Sequence, residues 1–545
     1  MLPSQSSRTA FRPASWFAAG ILGLLAIASC GSDSGEEPQK IPEVTQQIPP
    51  VDPILGPALV INGEVIPNEV VRRGVLYGPR GKIAVEMKKL SVMMEQEVAR
   101  RVAAGATRED FAVTQSEAEE AIAETNEELR KQYPDDDIEL EDLAQVGPDG
   151  FLSQVKLSKE FIKIFLPEGD PDHYPAITLA ALNESEESKV LFDTLKKDWE
   201  ERQAGQTEGL DPFFHQIIFS TLTDYFQRVS NIEMGEHLPD DVLMRINGQD
   251  VPLAKVWDSV KKTVSVSDVR AAKQWVVNMK LLRKDLADVW LDDAEAEAAW
   301  LAHEEPFRNT MFTVDKVATM IKRFPTVDTY KEFRRAYSSY QKRIASELNP
   351  TDLKAFAEQR TKLLIGQTQV DVDVILVSAY DFRKNRWKEN GWQEATARAK
   401  ECYDKITSKE LDWNEAVEQY SEFFDPPIPA NQTVAVGPRK AKGRFRAQTR
   451  NALMQLLEES EFWQFLNGNT LTDYIFFDLE EGKLGKVVRG PHGWYIPLLH
   501  RRNVGPEQII DTPKLIEMAE QDYTLISLAK HCQSLLASNQ VYGLE

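Results

Sequence analysis

The chain has 545 residues, too many for one hydrophobic core, so three or four domains are expected. Hydrophobic residues make up 42% and charged residues 28%, the balance of a globular body. Asp and Glu (86) outnumber Lys and Arg (64), and the formal net charge of −22 argues against nucleic acid or an anionic membrane surface as the main partner.

The first residues read as a targeting segment. Arg8 and Arg12 form a basic stretch before the apolar run Trp16 to Ala28, which is too short for a membrane span. The run ends Ile27-Ala28-Ser29-Cys30-Gly31, which resembles a bacterial lipobox. That resemblance implies that residues 1–29 are removed and that Cys30 becomes the lipidated first residue. Each buried CH₂ of an acyl chain would add roughly 0.8 kcal/mol to membrane anchoring. The alternative is an ordinary secretory signal with a Cys by chance. Gly31, rather than Asp, resembles lipoproteins sorted to the outer membrane, so the expected location is the bacterial envelope, at the outer membrane facing the periplasm. Losing Arg8 and Arg12 takes the charge from −22 to −24. Besides Cys30 only Cys402 and Cys532 remain, which allows at most one disulfide, and Cys402 on a helical apolar face reads as a buried free thiol. No other stretch of about 18 apolar residues is present.

Residues 30–57, with six prolines after Gly31, read as a semi-rigid tether. Val60-Ile61-Asn62-Gly63-Glu64-Val65-Ile66-Pro67 then reads as two short strands about an Asn-Gly turn, and Arg245-Ile246-Asn247-Gly248-Gln249-Asp250-Val251-Pro252 repeats it. After the first, Ile83, Met87, Leu90, Met94, Val98 and Val102 step at helical spacing to a stop at Gly105. Thr114-Gln115-Ser116-Glu117 is a capping box opening the next helix. The segments Glu117–Ile122 and Glu295–Trp300 echo one another, so two related units are expected, 58–240 (repeat proper to about 167, then an insertion) and 242–366. A plain helical bundle is the alternative. The series resembles the N-terminal chaperone domain of SurA-type and PrsA-type proteins, which open with an "Ile/Val-Asn-Gly-Glu-x-Ile" strand turn followed by helices. In the insertion, Phe213, Phe214, Ile217, Ile218, Leu222, Tyr225 and Phe226 form a helical stripe, the pattern of a core or of an apolar groove for unfolded chains.

From 370 to 502 the pattern becomes mixed. Val370, Val372, Val374 and Leu376 alternate as a half-buried strand, and Ala395, Ala399, Cys402 and Ile406 give a helix face. Asp412, with Glu415 three residues on, caps a second helix bearing Trp413, Ala416, Val417 and Tyr420. Val487-Val488 and Trp494 to Leu499 close the segment as two strands around Gly490-Pro491-His492-Gly493. Residues 503–545 add a final helix. The expected fold class is α+β and mostly helical, with two helical units, a small antiparallel sheet flanked by helices, and a C-terminal helix.

This order resembles the parvulin (PpiC-type) peptidyl-prolyl isomerases, as does Ala416-Val417-Glu418-Gln419-Tyr420-Ser421 beside the family's "Leu-Ala-x-x-Tyr-Ser". In that family two histidines and a Cys or Asp form the polar set of the active site. Here the corresponding positions are Val374, Tyr495 and Phe423, so the resemblance implies a degenerate site without confident catalytic residues. His492 and Asp425 are the substitutes available, His492 otherwise reading as an exposed turn residue and Asp425 as a cap before Pro426-Pro427. No cofactor is implied, and the dispersed histidines give no metal cluster; the acidic run Asp135-Asp136-Asp137 with Glu139 and Glu141 reads as a helix start rather than a calcium loop. The function expected is a lipid-anchored chaperone binding unfolded exported polypeptides and touching the membrane through Cys30. Two alternatives remain open: an active peptidyl-prolyl cis-trans isomerase, and a structural subunit of an envelope complex.

Overall fold

The computed structural model describes residues 48–132, 147–167, 169–205, 212–235, 238–262, 264–308, 313–345, 351, 368–382, 386–423, 443–468, 470–504 and 513–544. The leader, Cys30, the tether up to residue 47, the acidic run 135–141 and Asp425 lie outside the described residues. Helices dominate, and the small sheets among the described residues are antiparallel, an α+β fold. Among the described residues no helix is long and apolar enough to cross a membrane.

The described residues divide into two compact units, one within 83–263 and one combining 48–82 with those from 264 on. The divisions therefore fall at 82/83 and 263/264, whereas the sequence pattern suggests a boundary near 241. The reason lies in how the repeats are shared. Both Asn-Gly turns have the same backbone, with φ of 50° and 83° at Asn62-Gly63 and 50° and 80° at Asn247-Gly248, the left-handed pair that a tight hairpin requires.

In the larger unit, strands β1 (Val60–Ile61) and β2 (Glu64–Val65) are joined by β7 (Val541–Tyr542) at the far end of the chain. Asn62 donates its backbone N–H to Gln540 O at 2.7 Å, and Gln540 N–H returns to Asn62 Oδ1 at 3.0 Å. Helix α1 (Asn68–Leu76) packs on α2 (Val266–Asp285), the long helix of the second repeat, so closely that a Cβ on Gly74 would stand 3.1 Å from Ala272 Cβ. The smaller unit makes the reciprocal choice. There the strands Val242–Ile246 and Gln249–Pro252 are joined by Ile232–Met234, with Asn247 N–H donated to Asn231 O at 2.8 Å. Asn247 Nδ2 donates at 2.8 Å to Gln96, on the long helix Pro79–Ala103 of the first repeat. Each unit thus combines the hairpin of one repeat with the long helix of the other.

The stripe expected between residues 213 and 226 is core in the smaller unit, since Ile218, Leu222 and Phe226 are buried and the Phe226 ring lies 4.5 Å from that of Phe165. The side chains of Phe213 and Phe214 lie outside the described residues. Residues 48–57, read as the end of the tether, are docked. Asp52 accepts the N–H groups of Ile54 and Leu55, pairs with Arg72 at 2.9 Å, and Leu55 is buried.

The rest of the larger unit is two layers. A helical layer consists of α2, α3 (Asp293–Glu304), α4 (Val327–Ile344) and the C-terminal helix α9 (Pro513–Ser538) around Phe324, Phe333, Tyr337 and Leu528. A four-stranded antiparallel sheet has the order β5-β6-β3-β4, with β3 Gln369–Ser378, β4 Arg444–Thr449, β5 Val488–Gly490 and β6 Gly493–Asn503. Helices α5 (Gly391–Thr407) and α6 (Trp413–Tyr420, with the expected Asp412/Glu415 capping box) cover one face. On the other face α7 (Arg450–Leu456) precedes α8 (Glu461–Asn467), a helix the periodicity does not announce, which enters the helical layer.

Candidate functional site

Strand β3 is buried on both faces, and alternation sorts its side chains. Ile375 and Val377 point to α5 and α6, packing with Ala395, Ala399, the free thiol of Cys402, Ala416 and Val417. Burial pushes the Cys402 thiol up to about 12, so it carries no nucleophilic thiolate. Val370, Val372, Val374 and Leu376 take the opposite face together with Tyr495.

Tyr495 on β6 stands opposite Leu376, and Pro497 opposite Val374. Val374 and Tyr495 therefore share a face on neighbouring central strands, but as diagonal rather than direct partners. Phe423 arrives from the end of α6, where Glu422 N–H donates to Leu376 O at 2.7 Å. Its ring meets Tyr495 at 6.3 Å and 69°, and Phe445 at 5.6 Å and 81°, both edge-on. Gly443 closes this corner with a φ of +82°, and a Cβ there would lie 2.1 Å from Val374 O and 2.8 Å from the Phe423 ring. Only glycine fits.

These side chains border a small cleft of about 50 Å³, lined by Leu376, Phe382, Phe423, Gly443, Phe445, Leu456, Leu457, Glu458, His492 and Tyr495. Val374 lies in the core of the same face without lining the cleft.

His492 overturns the expectation of an exposed turn residue, being only 2% exposed. Its ring sits among Phe382 (4.9 Å), Tyr380 (5.3 Å) and Trp387 (6.4 Å). Tyr380 and Trp387 belong to a small hairpin that folds over the Gly490–Gly493 turn, and the His492 backbone carbonyl accepts Ala379 N–H at 2.8 Å. Burial lowers its pKa, against the opposing pull of Glu458, so the imidazole is neutral at neutral pH. Nε2 has no hydrogen bond; Glu458 Oε2 lies 3.6 Å away. The same carboxylate oxygen is 3.6 Å from Arg323, whose guanidinium donates to the Glu458 carbonyl at 3.3 Å. Glu458 has a φ of +56° and Arg323 of +57°, left-handed conformations that non-glycine residues adopt only under constraint.

The fold thus brings Phe423, Tyr495 and His492 to one cleft and leaves Val374 just behind it, while Asp425 lies outside the described residues. Phe382, Leu456, Leu457 and Glu458 are among the lining residues that sequence reasoning missed. Glu458 follows the helical run Ala452-Leu453-Met454-Gln455-Leu456-Leu457, whose apolar face was a signal that its end meets the sheet. Phe382 carries no such signal. Chemically the site is a pocket of aromatic and aliphatic walls with a neutral imidazole and one carboxylate at its edge. Among the described residues no group of His, Cys, Asp and Glu is placed to hold a metal ion.

No family model matches the sequence, and no curated protein matches it. Solved structures do show likeness. The peptidylprolyl isomerase PrsA of Bacillus cereus is 15% identical, the match covering 54% of this chain and 89% of that one, with a TM-score of 0.18. PrsA of Bacillus subtilis is 15% identical over 55% of this chain and 92% of that one, with a TM-score of 0.17. The foldase protein PrsA of Streptococcus pneumoniae is 14% identical over 55% and 93%, with a TM-score of 0.20.

Proposed function

We propose that this protein is a chaperone of the bacterial envelope, anchored through Cys30, that holds unfolded exported chains and uses its sheet-face cleft to bind their apolar side chains without isomerising them. The observation that carries the reading is the cleft itself. Where a parvulin-like site calls for a polar set, Phe423 packs edge-on against Tyr495 and Val374 is fully buried behind them. An apolar wall gains from burial, at roughly 25 cal/mol per Å², whether a bound amide is planar or twisted. Acceleration requires interactions stronger in the twisted state, and Val and Phe supply none.

The isomerase reading keeps one observation in its favour, since His492 and Tyr495 both line the cleft. Two assays separate the readings. Purified protein lacking residues 1–29 should suppress aggregation of an unfolded outer-membrane-type client at a few-fold excess. In a protease-coupled assay it should leave a proline peptide at its uncatalysed rate, with a relaxation of tens to hundreds of seconds. Failure to suppress aggregation would overturn the chaperone reading. A marked acceleration that is lost in Tyr495→Phe would make the protein an isomerase.

A further inference from the structure

We propose that Arg323, Glu458 and His492 form an acid-sensitive clasp between the helical layer and the sheet, in which the Glu458 carboxylate pairs with Arg323 while His492 is neutral and passes to His492 when its imidazole takes a proton. The clasp is a regulatory device and does not depend on client binding.

The contact joins two cores through neighbouring residues. Phe324, next to Arg323, is buried in the helical layer with its ring 5.2 Å from Phe462, and Leu457, next to Glu458, is buried in the sheet-face core. Between them the Arg323 guanidinium donates to the Glu458 backbone carbonyl at 3.3 Å, and the same nitrogen stands 3.6 Å from Glu458 Oε2. His492 Nε2 stands 3.6 Å from that same oxygen. One anionic oxygen thus has two nitrogen neighbours at equal distance, and only the guanidinium is charged while the imidazole is neutral. Arg323 and Glu458 also hold left-handed conformations, with φ of +57° and +56°, a strain that non-glycine residues keep only while their surroundings impose it.

The imidazole is the member that can change. It is buried, and its Nε2 has no hydrogen bond. The rings of Tyr380, Phe382 and Trp387 packed against it carry no charge, so Glu458 and Arg323 are the charged groups that act on it. Burial lowers its pKa most, Glu458 opposes that shift and Arg323 adds to it. A buried imidazolium requires an acceptor. Closing the gap to Glu458 Oε2 by about 0.8 Å makes a charge-assisted hydrogen bond. The same proton sets a second positive charge beside the guanidinium. Both effects weaken the hold of Glu458 on Arg323 and release the strained pair. A histidine whose folded pKa lies below the ordinary 6.5 favours the closed contact fully above that pH, and the contribution is lost as the pH falls below it. Acid therefore opens the clasp.

The test uses the full chain with its seven histidines isotope-labelled, followed by NMR from about pH 8 to about pH 4. The His492 signal is the one lost in His492→Gln. It should titrate below 6.5. Arg323→Asn, which tolerates the left-handed backbone, should raise that midpoint by about half a unit or more, and Glu458→Asn should lower it. Hydrogen exchange of residues 317–324, corrected for intrinsic rates, reads the contact itself. Its acceleration between about pH 7.5 and pH 5 should be about fivefold greater in the wild type than in His492→Gln. Glu459, which titrates near 7 with the opposite sign, is common to both proteins and cancels. His492→Phe, which fills the aromatic surroundings without a titratable group, gives the same reading if the Gln variant does not fold. Three results would each overturn the clasp: a ring that stays neutral to about pH 4 in both the wild type and Arg323→Asn, a midpoint that neither Arg323→Asn nor Glu458→Asn moves, or an acid-driven gain in exchange that persists without His492.

Discussion

Glu459, the residue after Glu458 of the cleft, shows how environment rewrites the chemistry of a side chain. It is 5% exposed, and its carboxylate accepts the backbone N–H groups of Leu471 and Thr472, satisfying the start of the short helical segment there. Burial outweighs those hydrogen bonds and pushes its pKa up to about 7. A carboxyl that binds its proton more tightly in the folded than in the unfolded chain favours folding at low pH. The contribution is complete below the ordinary glutamate range near 4.5 and is lost as the pH rises to about 7. Denaturant titrations at pH 4.5 and 7.5 should therefore show a loss of about 3 kcal/mol attributable to this group. Glu459→Gln, which cannot ionise, should flatten that part of the profile while giving up one acceptor. An unchanged slope in the variant would show that Glu459 does not titrate there.

At the scale of elements, α8 joins the sheet to the helical layer. Ser460 caps it by accepting Trp463 N–H at 3.1 Å. From there Phe462, Trp463, Phe465 and Leu466 are buried in the core formed by α2, α4 and α9. The Phe465 ring lies 5.1 Å from Phe333 and 5.5 Å from Trp275, and Asn278 donates to its carbonyl at 3.1 Å. A segment between two strands of the sheet therefore completes the hydrophobic core of another layer. Trp463→Ala should cost roughly 3–5 kcal/mol by leaving a cavity in that core. Sheet and helices should then unfold in one transition, with far-UV circular dichroism and tryptophan fluorescence coincident. A cost under about 1 kcal/mol would mean that α8 only rests on the surface.

Over the whole molecule, the exchange between repeats dictates which parts of the chain fold together. The larger unit needs β1, β2 and α1: β7 pairs with β1, and the buried Lys273 donates to Pro57 O at 2.8 Å and Gly543 O at 2.6 Å, tying the residues before β1 and after β7 to α2. A polypeptide of residues 264–545 alone leaves β7 without its partner and exposes the surface of Ala272 that α1 covers. It should be poorly soluble when expressed alone, and co-expression with residues 48–82 should rescue it. Residues 242–366 expressed alone should not gain in the same way, because their hairpin belongs with the other unit. Equal solubility of 264–545 with and without residues 48–82 would argue that the exchange contributes little to stability.

Local chemistry was legible in the sequence itself. The Asn-Gly turns, the capping boxes at Thr114/Glu117 and Asp412/Glu415, and the alternation along Val370–Leu376 all stand where the residues put them. Each depends on neighbours within a few positions, and the face shared by Val374 and Tyr495 follows from the same two-residue period. What tertiary structure alone decided was the choice among equivalent partners. Two hairpins and two long helices with similar apolar faces can pair in either combination, and periodicity carries no label for the pairing. The burial of His492 depended on a hairpin, Tyr380 to Trp387, folding over a turn more than a hundred residues away. Glu458 was not legible as a cleft residue: it follows an apolar helical run, and only the packed structure brings Arg323, from another layer, to its carbonyl and carboxylate. Such contacts are long-range products of the packed core, where the sequence specifies apolar surface and the fold selects what covers it.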